Sequence, residues 1–177
     1  MNNPGMDLEI WKQLRKKWTD LDAKGHKIKV DFKLIADPKD EKNILAIDVV
    51  QHIDREFVTE TVQRKAGEAY ATLGLTGLSA ERLKEVFKEM MQELYQQAKY
   101  KDMDLTVTMA PTSPTSGELQ GTLAMLDAPV QDSVLVNYRY YYVLNALREK
   151  MIESTGEAWS KVRAVYHAGD LEFYFEY

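Results

Sequence analysis

The feature that most constrains the fold is a two-residue alternation of apolar and polar side chains in several short segments. In residues 28–34, Ile, Val, Phe and Leu alternate with lysine and aspartate, and the same period recurs at residues 105–109 and 171–177. Successive side chains of a β-strand point to opposite faces, so each segment predicts a strand with one buried and one solvated face. Such strands are typical of an antiparallel sheet.

Helical spacing of apolar residues is equally clear in three other segments. In the first, Asp7 is a suitable N-cap residue and Gly25 a suitable residue to end the helix. The second begins after Ser79, whose hydroxyl can cap it, and carries a broad apolar stripe. The third is clearest over residues 140–152 and is predicted to close at Gly156.

The start of the third helix has two interpretations. Asp132 or Ser133 has a side chain suited to cap it, which would place the first turn directly after them. Residues 134–140, however, also alternate in the manner of a strand. The sequence leaves both readings of this short stretch open.

Each helix is followed by a strand, a turn and a second strand. The turns are predicted at residues 37–40, at a loop over residues 111–117 and around Gly169. The run over residues 44–50 is apolar on both faces except at Asp48, which places it centrally in the sheet, and residues 56–64 return beside it. We therefore expect a single α+β domain over residues 1–177, in which about three helices pack on one face of an antiparallel sheet. Whether these helix–hairpin units are a duplication or a packing convenience stays open.

Composition excludes several classes of function. The chain has 177 residues and no cysteine, so it has no disulfide, no thiolate nucleophile and no zinc–thiolate site. No apolar run approaches the ~20 residues of a membrane span, and the first residues lack the core of a signal peptide. The net charge of −5 argues against nucleic acid as a partner. We expect a cytoplasmic protein that binds neither nucleic acid nor membranes.

Charge is unevenly distributed along the chain. Residues 7–35 hold eight Lys or Arg against five Asp or Glu, a net of +3, so the rest of the chain carries −8. The lysine-rich first helix also contains Trp11 and Trp18, a combination found in helices that lie on membranes. Packing of both tryptophans on the apolar stripe is the simpler explanation. This uneven distribution of charge predicts a polarised surface, which favours a protein partner.

Acid–base or metal chemistry has few candidates. If the segment is extended, His52, Asp54 and Glu56 share one face and offer a weak metal site or a base. Asp48 is a lone charge in an apolar strand. The chain has no Gly-x-Ser-x-Gly, Gly-x-Gly-x-x-Gly or Walker lysine motif. We assign no catalytic residue, cofactor or metal, and keep as the alternative a small-ligand or metal-dependent enzyme with a pocket between helices and sheet.

Aromatic residues give the stronger functional signal, because they gather near the last helix and hairpin. Tyrosine is amphipathic and enriched in binding surfaces, and a helix start with tyrosines on several sides is not expected to bury them all. The sequence thus predicts a non-enzymatic domain that binds another protein, or itself as a homodimer. The predicted partner surface comprises five residues: Tyr138, Tyr141, Tyr142, Tyr174 and Tyr177.

One further pattern lies within residues 147–177. It consists of Leu-Arg-Glu from Leu147, Glu-x-Trp-Ser from Glu157, Gly169, and Phe-x-Phe-x-Tyr from Phe173. In these pieces the chain resembles the YezG-like immunity proteins that accompany polymorphic toxins in Gram-positive bacteria. The resemblance implies a bacterial protein that inhibits a toxin stoichiometrically and has no catalytic activity.

Overall fold

The computed structural model describes residues 8–97, 103–125 and 130–177. Within these ranges the chain forms four helices and eight strands, which confirms the predicted α+β fold. The helices are α1 Leu8–Ala23, α2 Ala66–Thr72, α3 Ala80–Gln97 and α4 Tyr138–Thr155. The strands are β1 Ile28–Asp37, β2 Asp40–Ile53, β3 Glu56–Gln63, β4 Asp104–Ser113, β5 Ser116–Ala124, β6 Val130–Val134, β7 Lys161–His167 and β8 Asp170–Glu176.

All eight strands join one antiparallel sheet, as the alternating segments predict. Seven of them follow the order β1-β2-β3-β5-β4-β7-β8, and β6 pairs with the part of β5 that lies beyond β3. The three predicted hairpins are β1–β2, β4–β5 and β7–β8. In the last one, Ala168 and Gly169 have φ of 51° and 91°, the left-handed conformation that a tight hairpin turn requires. The sheet thus has β1 at one edge and β8 at the other.

Helices cover the two faces of this sheet unequally. The larger core joins α2, α3 and α4 to one face, with Phe87, Leu144 and Trp159 fully buried at its centre. The expected packing on one face therefore holds for these three helices but not for α1. Ile10 and Leu14 of α1 pack against Ile47, Val49 and Val62 on the opposite face. The reason is β2, which is apolar on both sides and needs a cover on each.

The start of α4 differs from the capping prediction. Asp132 and Ser133 lie in β6 rather than at a helix terminus. The N-cap is Asn137, whose side-chain oxygen accepts a hydrogen bond from the backbone N–H of Arg139 at 3.0 Å. The strand alternation ahead of residue 137 prevails because β6 finds a partner in β5. Gly156 ends the helix at φ 75°, as predicted.

The predicted loop over residues 111–117 is mostly strand. β4 continues to Ser113 and β5 starts at Ser116, so the turn contains two residues. Pro111, which has no N–H to donate, is tolerated within β4 because the pairing with β7 ends at Met109. At Pro111 the strand therefore has no described neighbour on that side. The short helix α2 was not predicted, and the expected cap Asp7 lies outside the described residues. No helix in the described ranges combines the length and apolarity needed to cross a bilayer.

Candidate functional site: the uncovered face of the sheet

The candidate site is the part of the α1-side face that α1 does not reach. Trp18 donates its indole N–H to Gln51 of β2 at 2.8 Å, which fixes α1 over the β1–β3 half of the sheet. Lys17 reaches Glu118 of β5, with 3.3 Å between Nζ and Oε2, and marks the limit of the cover. Beyond it, no described helix packs on this side of β4, β7 and β8.

Strand register defines the residues of this uncovered face. Partners across an antiparallel pair share a face, so the rows follow directly from the pairing. One row contains Gln120, Thr108, Arg163 and Tyr174, and the next contains Thr122, Thr106, Val165 and Glu172. Lys161 and Glu176 flank the first row, while His167 and Asp170 flank the second. We call these residues, with Asp104 and Glu118, the uncovered face.

A cation–π pair stands at the centre of the uncovered face. The Arg163 guanidinium lies 4.5 Å from the centre of the Tyr174 ring. The Tyr174 hydroxyl donates a hydrogen bond to the Glu172 carboxylate, and this bond raises the pKa of the tyrosine. The ring is 44% exposed although it is held on two sides. An aromatic ring that is oriented before binding loses little entropy when a partner covers it.

An acidic depression lies next to this pair. Its volume is about 300 Å³, and its lining comprises Asp104, Val165, His167, Asp170, Glu172 and Tyr174. The His167 Nδ1 atom lies 2.5 Å from an Asp104 carboxylate oxygen, which holds the imidazole at one end. Three carboxylates around a shallow space favour a positively charged group. The geometry therefore suits a lysine or arginine side chain from another molecule.

The structure separates the five predicted tyrosines into two groups. Tyr174 and Tyr177 are exposed at 44% and 63%. Tyr138 is partly buried, whereas Tyr141 and Tyr142 are only 1% and 0% exposed, so the assignment of these last two to a partner surface is wrong. The physical reason is that α4 lies between the sheet, α2 and α3, and therefore has buried surroundings on several sides.

The side chains proposed for metal or base chemistry do not assemble as a site. A turn at residues 54–55 interrupts the extended segment, and Asp54, at φ 56°, binds His26 with 2.6 Å between the two side chains. His52 stacks instead on Phe57, with ring centres 4.5 Å apart. Glu56 accepts a hydrogen bond from Gln120 at 3.2 Å. Among the described residues, no three His, Asp or Glu side chains are grouped closely enough to hold a metal ion.

Asp48 is buried, and its carboxylate connects three elements. One oxygen accepts a hydrogen bond from the Thr61 hydroxyl at 2.7 Å, and the other accepts one from the backbone N–H of Tyr138 at 3.0 Å. Burial raises the pKa of Asp48 to about 6, against the opposing effects of these two bonds and of Lys33. Both oxygens are occupied in joining β2 and β3 to the N-terminus of α4, which is a structural role.

Glu60 is a second buried carboxylate, which the sequence reading missed. It is 3% exposed beneath α1 and accepts a hydrogen bond from the Thr112 hydroxyl. Burial raises its pKa to about 7; the Thr112 bond lowers it, Glu118 on the neighbouring strand raises it, and Ser116 and Lys17 lower it. The available signal was its position between Val58 and Val62 on the apolar face of β3.

The residues that carry the YezG-like pattern pack against one another. The Arg148 side chain donates Nε–H to the Trp159 carbonyl at 2.8 Å, and its guanidinium lies 5.5 Å from the centre of the Trp159 ring. Trp159 in turn lies 5.8 Å from Phe175, between ring centres. These contacts attach α4 to the last hairpin. Compared with models of protein families and with curated protein sequences, the chain matches none of them.

Proposed function

We propose that this chain is a non-enzymatic protein-binding domain whose uncovered face binds a protein with a basic surface. One observation carries the proposal: helices cover one face of the sheet, whereas α1 covers only the β1–β3 half of the other. The remaining half displays the oriented ring of Tyr174 beside an acidic depression. Rigid aromatic anchors next to satisfied polar groups are typical of protein interfaces.

Charge on the uncovered face indicates the chemistry of the partner. Five carboxylates lie on it, against Lys161, Arg163 and Lys17 of α1, which pairs with Glu118. The five are Asp104, Glu118, Asp170, Glu172 and Glu176. Complementary potentials accelerate association and select partners, so a basic surface fits this one. A lysine or arginine of the partner would enter the depression and pack beside the ring of Tyr174.

The YezG-like resemblance gives one concrete form of this function. In that form the partner is a bacterial toxin, and the domain inhibits it by occupying its surface in a one-to-one complex. The residues of the resemblance would then build the hairpin that presents Tyr174, without contacting the partner themselves. The enzyme alternative lacks such support, because His52, Asp54, Glu56 and Asp48 each engage a neighbouring group.

The test is a quantitative capture experiment with matched variants of the full chain in extracts of the native host. Glu172→Lys reverses a charge in the depression and Tyr174→Ala removes the ring, whereas Glu89→Lys reverses an exposed charge on α3, at the other face. We expect the wild type and Glu89→Lys to retain one protein stoichiometrically. Glu172→Lys and Tyr174→Ala should bind that protein at least tenfold more weakly or not at all.

Binding should also weaken as salt concentration rises, because the proposed contact is between opposite charges. Retention of the same protein by Glu172→Lys and Tyr174→Ala at wild-type strength would contradict the proposal. So would capture that only Glu89→Lys abolishes, since this residue lies on the helix-covered side. Circular dichroism of each variant confirms that the fold is retained.

A further inference from the structure

Strand β1 forms one edge of the sheet, at the end away from β8 and the uncovered face. It displays exposed apolar side chains. Phe32 is 39% exposed and Leu34 is 50% exposed, on the same side of the sheet as α1. Trp11 of α1 lies beside Phe32, with 5.7 Å between ring centres. A long edge strand with exposed apolar residues offers unpaired backbone groups to a further strand, and proteins usually protect such edges. This edge is therefore open to pairing with a further strand.

The other side of β1 carries charges in an informative order. Lys29, Asp31 and Lys33 follow one another along that side, opposite His52, Val50 and Asp48 of β2. If a second β1 strand pairs antiparallel with the first about a two-fold axis at Phe32, residue numbers opposite each other add to 64. Asp31 of each copy then faces Lys33 of the other, which gives two cross-strand ion pairs.

Neighbouring registers lose this match. An axis at Asp31 would place Asp31 opposite Asp31 and Lys29 opposite Lys33, while an axis at Lys33 would place two lysines opposite each other. Like charges directly opposite are destabilising in a sheet, so charge disfavours both of these registers. An axis at Val30 would also pair Asp31 with a lysine, but it would align only residues 28–32 of the strand, whereas the axis at Phe32 aligns residues 28–36. In that register Phe32 packs against its own equivalent, and Val30 of one copy packs against Leu34 of the other. In this register, the apolar side of β1 matches the apolar side of the second copy, and the charged side matches the charged side.

We propose that two copies of this chain associate through antiparallel pairing of their β1 strands about a two-fold axis at Phe32. The two sheets become continuous, and a symmetric contact of this kind closes on itself without forming filaments. Both α1 helices lie on the same side of the joined sheet. The uncovered face lies towards the β8 edge and remains accessible, so this association is independent of the proposed binding function.

Disulfide trapping tests the register, because the chain has no cysteine of its own. Directly opposite residues of an antiparallel pair have Cα atoms about 4.5–5.5 Å apart, which a disulfide can span. Phe32→Cys should therefore form a covalent dimer on mild oxidation. Leu34→Cys is the matched control on the same side of the strand. Its equivalent lies four residues along the pair, about 14 Å away at ~3.4 Å for each residue. It should stay uncrosslinked alone but crosslink when mixed with Val30→Cys.

Crosslinking of Leu34→Cys alone as readily as Phe32→Cys would overturn the register. Failure of Phe32→Cys to crosslink would overturn the pairing centred on Phe32. Sedimentation velocity supplies the reversible test without a thiol. We expect a wild-type dimer and at least a tenfold rise in the dissociation constant for Asp31→Lys, which places lysine opposite Lys33. A wild type that remains monomeric at a protein concentration of about 100 μM, where even a weak specific dimer is populated, would overturn the proposal. Glu172→Lys should dimerise as the wild type does, which separates this outcome from the fate of the proposed function.

Discussion

Replacing Glu60 by glutamine tests how the sheet tolerates a carboxylate beneath α1. The side chain is 3% exposed, and its surroundings raise its pKa from 4.5 to about 7. The folded protein therefore binds this proton more tightly than the unfolded chain does. Stability must fall as pH rises from about 4.5 to about 7, because the unfolded chain ionises first. Glutamine preserves the shape and an oxygen acceptor for Thr112, but it cannot ionise.

The magnitude follows from the size of the pKa change. At about 1.4 kcal/mol for each pH unit, the raised pKa of Glu60 lowers the free energy of unfolding by about 3 kcal/mol at pH 8 and about 2 kcal/mol at pH 6, relative to a side chain that cannot ionise. The cost vanishes below pH 4, where both states carry the proton. Glu60→Gln should therefore exceed the wild type in free energy of unfolding by about these amounts. The buried Asp48 contributes a similar pH dependence to both proteins, so its effect cancels in the difference.

The assay is urea unfolding followed by tryptophan fluorescence at pH 4, 6 and 8. Glu56→Gln is the control, because it removes the same charge from an exposed position on the same strand. We expect no pH-dependent gain from the control. A Glu60→Gln protein that is less stable than the wild type at pH 8, or a difference that does not change between pH 4 and pH 8, would refute the argument that burial dominates the ionisation of this residue.

Further predictions concern packing in the helix-covered core. A Cβ at Gly117 would lie 2.4 Å from a ring carbon of Tyr141, so Gly117→Ala should lower the free energy of unfolding by about 2 kcal/mol or more. Gly67→Ala, where a Cβ meets nothing within 4 Å, should raise it by about 0.5–1 kcal/mol in the same urea assay. The buried Tyr142 hydroxyl has no hydrogen-bond partner among the described residues, so Tyr142→Phe should leave the thermal midpoint unchanged or raise it. Tyr140→Phe, which loses a bond to a backbone carbonyl of α3, should instead cost about 1 kcal/mol; equal losses for both variants would contradict this assignment.

These experiments concern positions that differ in how far the sequence predicted them. The β1–β2 and β7–β8 hairpins were predicted correctly, because period-two alternation and turn residues are local signals. Ser79 was identified as the residue that caps α3, and it accepts the Arg82 backbone N–H at 3.2 Å. Gly156 was likewise expected to end α4. In each case the residues that decide the structure are close neighbours in the chain.

The uncovered face was only partly visible in the sequence. Tyr174 and Tyr177 were predicted to belong to a partner surface, and both are exposed, but only Tyr174 lies on the same strand face as Glu172. The acidic depression was not predicted, since Asp104 and Asp170 come from distant strands that adjoin β7. His167 is exposed beside the last hairpin turn, and its partner Asp104 lies far away in the sequence, at the start of β4. Pairing between distant strands created this part of the site.

The sequence by itself determined which residues share a face of each strand or helix, and therefore the α+β class and the antiparallel sheet. Only the tertiary structure decided what lies against each face. Periodicity could not assign α1 to the side opposite the other helices, bury Tyr141 and Tyr142 within three layers, or place Glu60 beneath α1. A periodic pattern records the direction of a side chain relative to its own backbone, whereas burial depends on elements that arrive from elsewhere in the chain. The part of the α1-side face that no described helix covers is a product of that second kind of information.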